Sequence, residues 1–196
     1  MTLHRFHVDD LQATPWKNGG GVTREIVCQP IGSGIGDFDW RVSIAHIASD
    51  GPFSAFPGVD RIITLISGGG VHLKSSDGGI DHLLNEPMLP FAFKGETNIN
   101  ASLLDQDCHD FNVMTRRSTC SNVSLQIFRN ACDCPTSSHG LFLAVHGHWQ
   151  LNGNHEEHLA PQEGFWWSDW YLGWQLSSKS PDATLIALNL DVQSYE

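Results

Sequence analysis

Apolar and polar residues alternate along most of this chain, and glycine or proline breaks the alternation roughly every 8–12 residues. A period of two places successive side chains on opposite faces of an extended strand, whereas a helix needs a period near 3.6. In Phe38–Ala45 the pattern sends Trp40, Val42 and Ile44 to one face and Arg41, Ser43 and Ala45 to the other. Phe111–Arg116 puts Asn112, Met114 and Arg116 together, and Val22–Val27 separates Thr23 and Glu25 from Arg24 and Ile26. Helical periodicity is weak throughout, and the best candidate is a short connecting turn after Asp9-Asp10. The expected fold class is all-β, an antiparallel sandwich or barrel.

One pattern occurs twice. Ile63–Leu73 and Leu141–Leu151 each read as an apolar strand, a glycine-centred turn and a returning strand. Each is followed by a His-Leu pair (His82-Leu83, His158-Leu159) and then by an aromatic strand (Phe91-Ala92-Phe93, Phe165-Trp166-Trp167). Self-similarity at about 80 residues predicts a duplicated β unit. The polar segment 130–139, with Pro135 and three hydroxyl residues at 136–138, reads as a linker. The expected division is 1–129, linker 130–139, and a smaller second repeat 140–196 that N-terminal strands complete.

Composition narrows the function classes. The chain has 196 residues, 40% hydrophobic and 17% charged, enough to bury a sizeable core. Eleven basic against 22 acidic residues give a net charge of −11, and no Lys/Arg run exists, so nucleic acid is not an expected partner. No apolar run approaches the ~20 residues of a membrane span, and the N-terminus lacks a signal-peptide core. No membrane partner is expected, and the expected location is cytoplasmic. Five cysteines at irregular spacing read as free thiols. Cys132-Asp133-Cys134 with His139 lacks the knuckle spacing and second ligand pair of a structural zinc site. No metal and no other cofactor is expected.

If the sheet closes into a barrel, the polar face of a strand lines a lumen, and Arg41 and Ser43 become convergent polar groups. The segment Trp16-Lys17-Asn18 offers an aromatic wall, a cation and an amide. The glycines 19–21 after it form either a flexible turn or an anion-accepting nest. Phe53 and Phe56, held between prolines, make a stiff loop that either roofs a barrel mouth or plugs it. Asp60 and Arg61 read as a pair at a strand start. The candidate ligand-binding residues are Trp16, Lys17, Asn18, Thr23, Glu25, Arg41, Ser43, Phe53, Phe56, Arg61, Asn112 and Met114. Arg41 is assigned the charge-assisted contact, Thr23, Ser43 and Asn112 the orientation, and Trp16, Phe53 and Phe56 the walls.

Several of these segments in order resemble the HutD/Ves family of small bacterial proteins: Pro15–Gly21 with Thr23–Ile26, Phe38–Ala45, Gly51–Ser54 with Phe56–Gly58, Arg61-Ile62, and Asp110–Arg116. The resemblance spans most of residues 15–117, thins in the second repeat to Gly147–Leu151, and is closer to Ves than to HutD. It implies a duplicated cupin, an RmlC-like double-stranded β-helix, and carries over no catalytic residue. Many cupins hold a metal through a His-x-His pair, and His146-Gly147-His148 has that spacing. The repeat alignment sets it at a turn, pointing outward. The leading expectation is a non-catalytic regulatory or stress-associated binder of a small carboxylate-bearing metabolite, linked to histidine utilisation. The alternative is a metal-independent cupin enzyme, an isomerase, epimerase or hydrolase of a small acid. Trp166, Trp167, Trp170 and Trp174 read as core and interface packing, with an aromatic second pocket or a homodimer contact left open.

Overall fold

The computed structural model describes residues 3–169 and 171–193, so Trp170 lies outside the described residues. The strands are β1 (His4–His7), β2 (Ala13–Pro15), β3 (Gly21–Gln29), β4 (Trp40–Ile47), β5 (Gly51–Pro52), β6 (Val59–Gly68), β7 (Val71–Ser75), β8 (Asp81–Leu84), β9 (Pro90–Lys94) and β10 (Ile99–Leu103). They continue as β11 (Cys108–Arg116), β12 (Cys120–Phe128), β13 (Cys132–Ser137), β14 (His139–His146), β15 (Trp149–Asn152), β16 (Glu156–Leu159), β17 (Glu163–Trp167), β18 (Leu172–Ser178) and β19 (Thr184–Val192). Among the described residues the one helical element is a 3-10 turn at Val8–Asp10, where the connecting turn is expected.

Two compact units emerge, and the strand order β9-β6-β11-β4 of the first recurs as β17-β14-β19-β12 in the second. Residues 12–118 form a six-stranded sheet, β2-β3-β4-β11-β6-β9, and a four-stranded sheet, β5-β10-β7-β8. The other unit, from residues 1–11 and 119–196, has a five-stranded sheet, β1-β17-β14-β19-β12, and a four-stranded sheet, β13-β18-β15-β16. Every pairing is antiparallel. In each unit the sheets enclose a hydrocarbon core drawn from both. Ile63 and Leu65 meet Val71, Leu73, Ile99 and Ala101 in the first unit. Phe142, Phe165 and Trp167 meet Trp149, Leu151 and Trp174 in the second.

The boundaries differ from those expected along the chain. Residues 130–139 are not a linker, because β13 occupies them and pairs with β18. β12 lies in the second unit because it pairs with β19, and β1 joins the same sheet by pairing with β17. The Phe6 ring lies against Gly164, where any Cβ would collide with it. The two glycine turns also do more than reverse the chain. β6 and β7 are in different sheets, as are β14 and β15, so each turn carries the chain from one wall to the other. Gly68, Gly70 and Gly147 take φ of 92°, 82° and 73°, the left-handed region that favours glycine.

A second close approach is at Gly140 on β14. A Cβ there would overlap the Trp167 indole and stand 2.6 Å from the Leu188 carbonyl oxygen. Gly140→Ala is therefore expected to destabilise the second unit by roughly 1–3 kcal/mol, seen as a lowered unfolding midpoint in chemical denaturation; an unchanged midpoint would contradict this packing.

Candidate functional site

The six-stranded sheet of residues 12–118 turns one face of each strand inward, and the register sorts the inward side chains into rows. The first row is Phe93, Arg61, Met114, Arg41 and Cys28 across β9, β6, β11, β4 and β3. The second is Phe91, Ile63, Asn112, Ser43 and Glu25, and the third contains Leu65, Asp110, Ala45 and Thr23. Beyond the third row lie Ile47 and Cys108, part of an apolar cluster that also takes in Ile63 and Leu65 from the rows. At the other end, Phe38 and Val59 form a smaller apolar cluster with the first-row residue Met114, and Cys28 and Phe56 pack against it. The polar side chains thus form a band between two hydrocarbon regions.

Arg61 is the centre of the band. Its residue is 8% exposed, and its Nε and Nη2 donate to a single acceptor, Asn112 Oδ1, at 3.3 and 3.2 Å. The Phe93, Phe53 and Phe56 rings surround the guanidinium carbon at 5.0, 5.2 and 5.8 Å from their centroids. Cation–π contacts of this kind contribute about 0.5–2 kcal/mol each and offset only part of the cost of removing a charge from water, several kcal/mol per ion. Burial lowers the Arg61 pKa to about 10, against the opposing pull of the Asp110 charge. The side chain stays cationic at neutral pH.

Arg41 has a different role from the one its alternation suggests. Its Nε donates to Glu25 Oε2 at 2.6 Å, and Glu25 is half-exposed, so this guanidinium already has its counter-ion. The guanidinium left to meet an incoming anion is Arg61. Arg61 does not pair with Asp60 either: the two lie on opposite faces of β6, and Asp60 binds Arg117 at 2.6 Å. Phe53 and Phe56 are brought to the band by β-type hydrogen bonds from their own N–H groups to the Ile99 and Gly95 carbonyls.

Ser43, Asn112 and Met114 sit in the band and are buried. Trp16 and Thr23 are bound to each other, the indole N–H donating to the threonine hydroxyl at 2.8 Å, and Trp16 packs on the apolar cluster beyond the band. Lys17 and Asn18 are exposed in the β2–β3 turn, past the Ile47 row, and are not brought to the band. Asn18 Oδ1 instead accepts the Gly20 N–H at 3.0 Å, and the glycines bond to the chain at residues 48 and 49. Their run is a hairpin turn. Arg116, grouped with Asn112 and Met114 by alternation, donates to the Phe38 and Gly36 carbonyl oxygens at the strand end.

Two members of the band escape the sequence reading. Phe93 stacks near Arg61 through a cross-strand pairing that no local pattern shows. Asp110 carries a readable signal, because the alternation that groups Asn112 with Met114 puts Asp110 on their face as well. It is 3% exposed, and its Oδ1 has no hydrogen-bond partner. Burial pushes its pKa up to about 7, against the opposing attraction of Arg61. The donor set does not fit a divalent cation: the enclosed carboxyl, Asp110, stands near the Arg61 guanidinium, and the other carboxyl of the rows, Glu25, is taken by Arg41. His146 and His148 are exposed on either side of the Gly147 turn. Among the described residues no group of three or more His, Cys, Asp or Glu side chains is placed to hold a metal.

The second unit keeps the geometry and loses the chemistry. Aligned on Gly68 and Gly147, its rows place Gly140 where the first unit has Arg61, Ala187 for Asn112, Leu185 for Asp110, and Trp167 for Phe93. The Trp167 indole lies over Gly140, so its ring fills the space a side chain there would take. Phe142, Phe165, Trp167 and Trp174 close this interior at centroid distances of 5.3–6.3 Å.

A family model for HutD matches residues 8–185. The chain belongs to the HutD family. It is 38% identical over 168 residues to Protein Ves of Escherichia fergusonii, covering 85% of this chain and 84% of that protein. Among solved structures it is similar to HutD from Pseudomonas fluorescens SBW25, in a formate condition, at 27% identity and a TM-score of 0.83, covering 98% of this chain and all of that one. A cupin 2 conserved barrel domain protein from Leptotrichia buccalis superimposes with a TM-score of 0.62 at 8% identity, covering 97% of this chain and 98% of that one, which shows the cupin fold. Ves and HutD kinship and the duplicated cupin architecture therefore agree with the motifs in residues 15–117. No helix among the described residues is long and apolar enough to cross a membrane.

The raised Asp110 pKa has a consequence for stability. A carboxyl that ionises near pH 4 unfolded and near pH 7 folded binds more protons in the folded state between those values, so folding weakens as pH rises across that window and levels off above it. Asp110→Asn removes this dependence. Its gain in stability over the native protein should grow from about pH 4 to about pH 7, reach a few kcal/mol, and stay level beyond. Urea denaturation across pH checks it, and a gain that does not vary with pH would show that Asp110 titrates normally.

Proposed function

We propose that the interior of the 12–118 unit binds a small molecule through a carboxylate, with the Arg61 guanidinium as the principal contact. The observation that carries this reading is a buried cation whose hydrogen bonds end on one neutral acceptor. A guanidinium matches a carboxylate with two parallel N–H donors, and such charge-assisted pairs are about twice as strong as neutral ones. Asn112 presents its oxygen to Arg61 and so leaves its NH2 donors for a ligand. The Ser43 hydroxyl stands beside Asn112 in the register. Phe53, Phe56 and Phe93 supply apolar walls, in keeping with pockets that are mostly hydrocarbon with a few placed polar groups. The Pseudomonas fluorescens HutD structure is of a formate condition, and formate is the smallest carboxylate.

In this reading the protein is a non-catalytic binder with a regulatory or stress-associated role, and histidine utilisation is the first pathway in which to look for its ligand. A metal-independent enzyme acting on a small acid is the second reading. It draws on Asp110, a carboxyl poised near neutrality where an acid or base works best.

Thermal unfolding with formate, urocanate, formyl-amino acids and simple carboxylates tests the binding. At a ligand concentration of about a hundred times Kd the stabilisation is about 2.7 kcal/mol, a rise in Tm of roughly 5–10 °C. Arg61→Ala should abolish that rise, and Arg41→Ala, whose charge is already balanced by Glu25, should reduce it far less. No rise with any of these acids, or an undiminished one in Arg61→Ala, would refute the proposal. Proton NMR of the bound acid after prolonged incubation separates the two readings: an unchanged spectrum fits a binder and new resonances fit an enzyme.

A further inference from the structure

The band holds two guanidiniums and two carboxyls before any ligand arrives. Arg41 is matched by Glu25 at 2.6 Å. Arg61 faces Asp110 closely enough for each charge to act on the other, yet no direct hydrogen bond joins them among the described residues. An incoming carboxylate would add a second negative charge beside the same guanidinium, in an enclosure of low polarity. Two carboxylates sharing one cation in such a place do not both remain ionised.

The geometry around Asp110 decides which of them takes the proton. Asp110 precedes Asn112 by two residues on the same face of β11, about 7 Å along the strand. Its Oδ1 is buried and receives no donor from the protein, so nothing holds the charge of its ionised form there. The other ionisable groups on the faces turned toward it are Arg61 on β6, the Arg41 and Glu25 pair on β4 and β3, the Cys28 thiol on β3, whose pKa burial raises, and the Cys108 thiol on its own strand. Burial pushes that thiol up to about 11, so it stays neutral. The cluster contributed by β7 and β10, with Val71, Leu73, Ile99 and Ala101, is hydrocarbon. The ligand carboxylate, placed on Arg61, keeps its charge. Asp110 has no comparable donor.

Resting on the carboxylate-binding reading, we infer that the 12–118 unit takes up its ligand together with one proton, which resides on Asp110 and is donated as an O–H hydrogen bond to the ligand carboxylate held by Arg61. The proton comes from solvent, and no bond in the ligand is made or broken. The free protein is prepared for this uptake, since burial already brings Asp110 to about 7. A bound anion raises it further. Between the free and bound values the apparent Kd rises tenfold per pH unit, and below the free value affinity is flat. The site is thus a proton-coupled acid sensor whose occupancy falls as pH rises above neutrality. The second unit has Leu185 at the matching position, a side chain that takes up no proton.

Calorimetric titration with formate at about pH 8, in two buffers of different ionisation heat, reads the proton uptake directly. The expected result for the native protein is uptake approaching one proton per formate bound, with Kd about tenfold weaker per pH unit as pH rises from about 7 to about 8.5. Asp110→Asn should bind formate with no proton uptake and no pH dependence across this range. If that variant fails to fold, the native protein still gives the answer through the infrared carbonyl band of a protonated carboxyl, which should grow on formate addition at about pH 8. Formate binding with no proton uptake and a constant Kd would overturn the coupling and leave the carboxylate-binding reading standing. No binding of formate, or of any of the other acids used in thermal unfolding, at any pH between about 6 and about 8.5 would overturn both.

Discussion

A guanidinium removed from water without an ionic partner in contact is the constraint around which the 12–118 unit is arranged. Arg61 sits in a row of inward-facing residues bounded by hydrocarbon on both sides, and three aromatic rings and one amide oxygen are what the chain offers it. Its neighbours follow from that choice. Asn112 must turn its oxygen toward the cation, which frees its amino group. Phe53 and Phe56 must come in from a loop, because the sheet alone supplies one face of the enclosure. Asp110 lies near enough to feel the charge but is not satisfied by it, and burial shifts it to the edge of ionisation.

The duplicated unit shows that the fold does not demand this arrangement. The order and register of the shared strands recur, and the positions equivalent to Arg61, Asn112, Asp110 and Phe93 hold glycine, alanine, leucine and tryptophan. Such an interior satisfies the hydrophobic effect without any charged group, and its four mutually packed aromatic rings fill it. An interior that keeps an arginine and an aspartate where its twin keeps hydrocarbon gives up stability for chemistry. The contrast is the reason the proposed binding site is assigned to the 12–118 unit.

Parts of the site are legible in the chain because a strand has a period of two. Alternation assigns Arg41 and Ser43 to one face and Asn112 and Met114 to another shared face, and the register then joins these faces in the lumen. The same rule, followed one step further, reaches Asp110. It also separates Asp60 from Arg61, which adjacency alone made look like a pair. What the period does not reveal is which cation finds a counter-ion. Arg41 and Arg61 are both inward positions, and only the pairing of β3 with β4 brings Glu25 to Arg41. Lys17 and Asn18 misled by composition, since their turn closes beyond the apolar row.

The amino-acid order by itself determined the all-β character, the duplication, the glycine corners and the inward faces of individual strands. These depend on side-chain alternation and on φ values open to glycine, which act over a few residues. Unit boundaries, the return of β1 and β12 to the second unit, the aromatic lid over Arg61 and the isolation of Asp110 were decided by the tertiary structure alone. Each depends on pairing between strands far apart in the chain, and the energy of a buried charge is set by what those distant strands bring within a few ångströms of it.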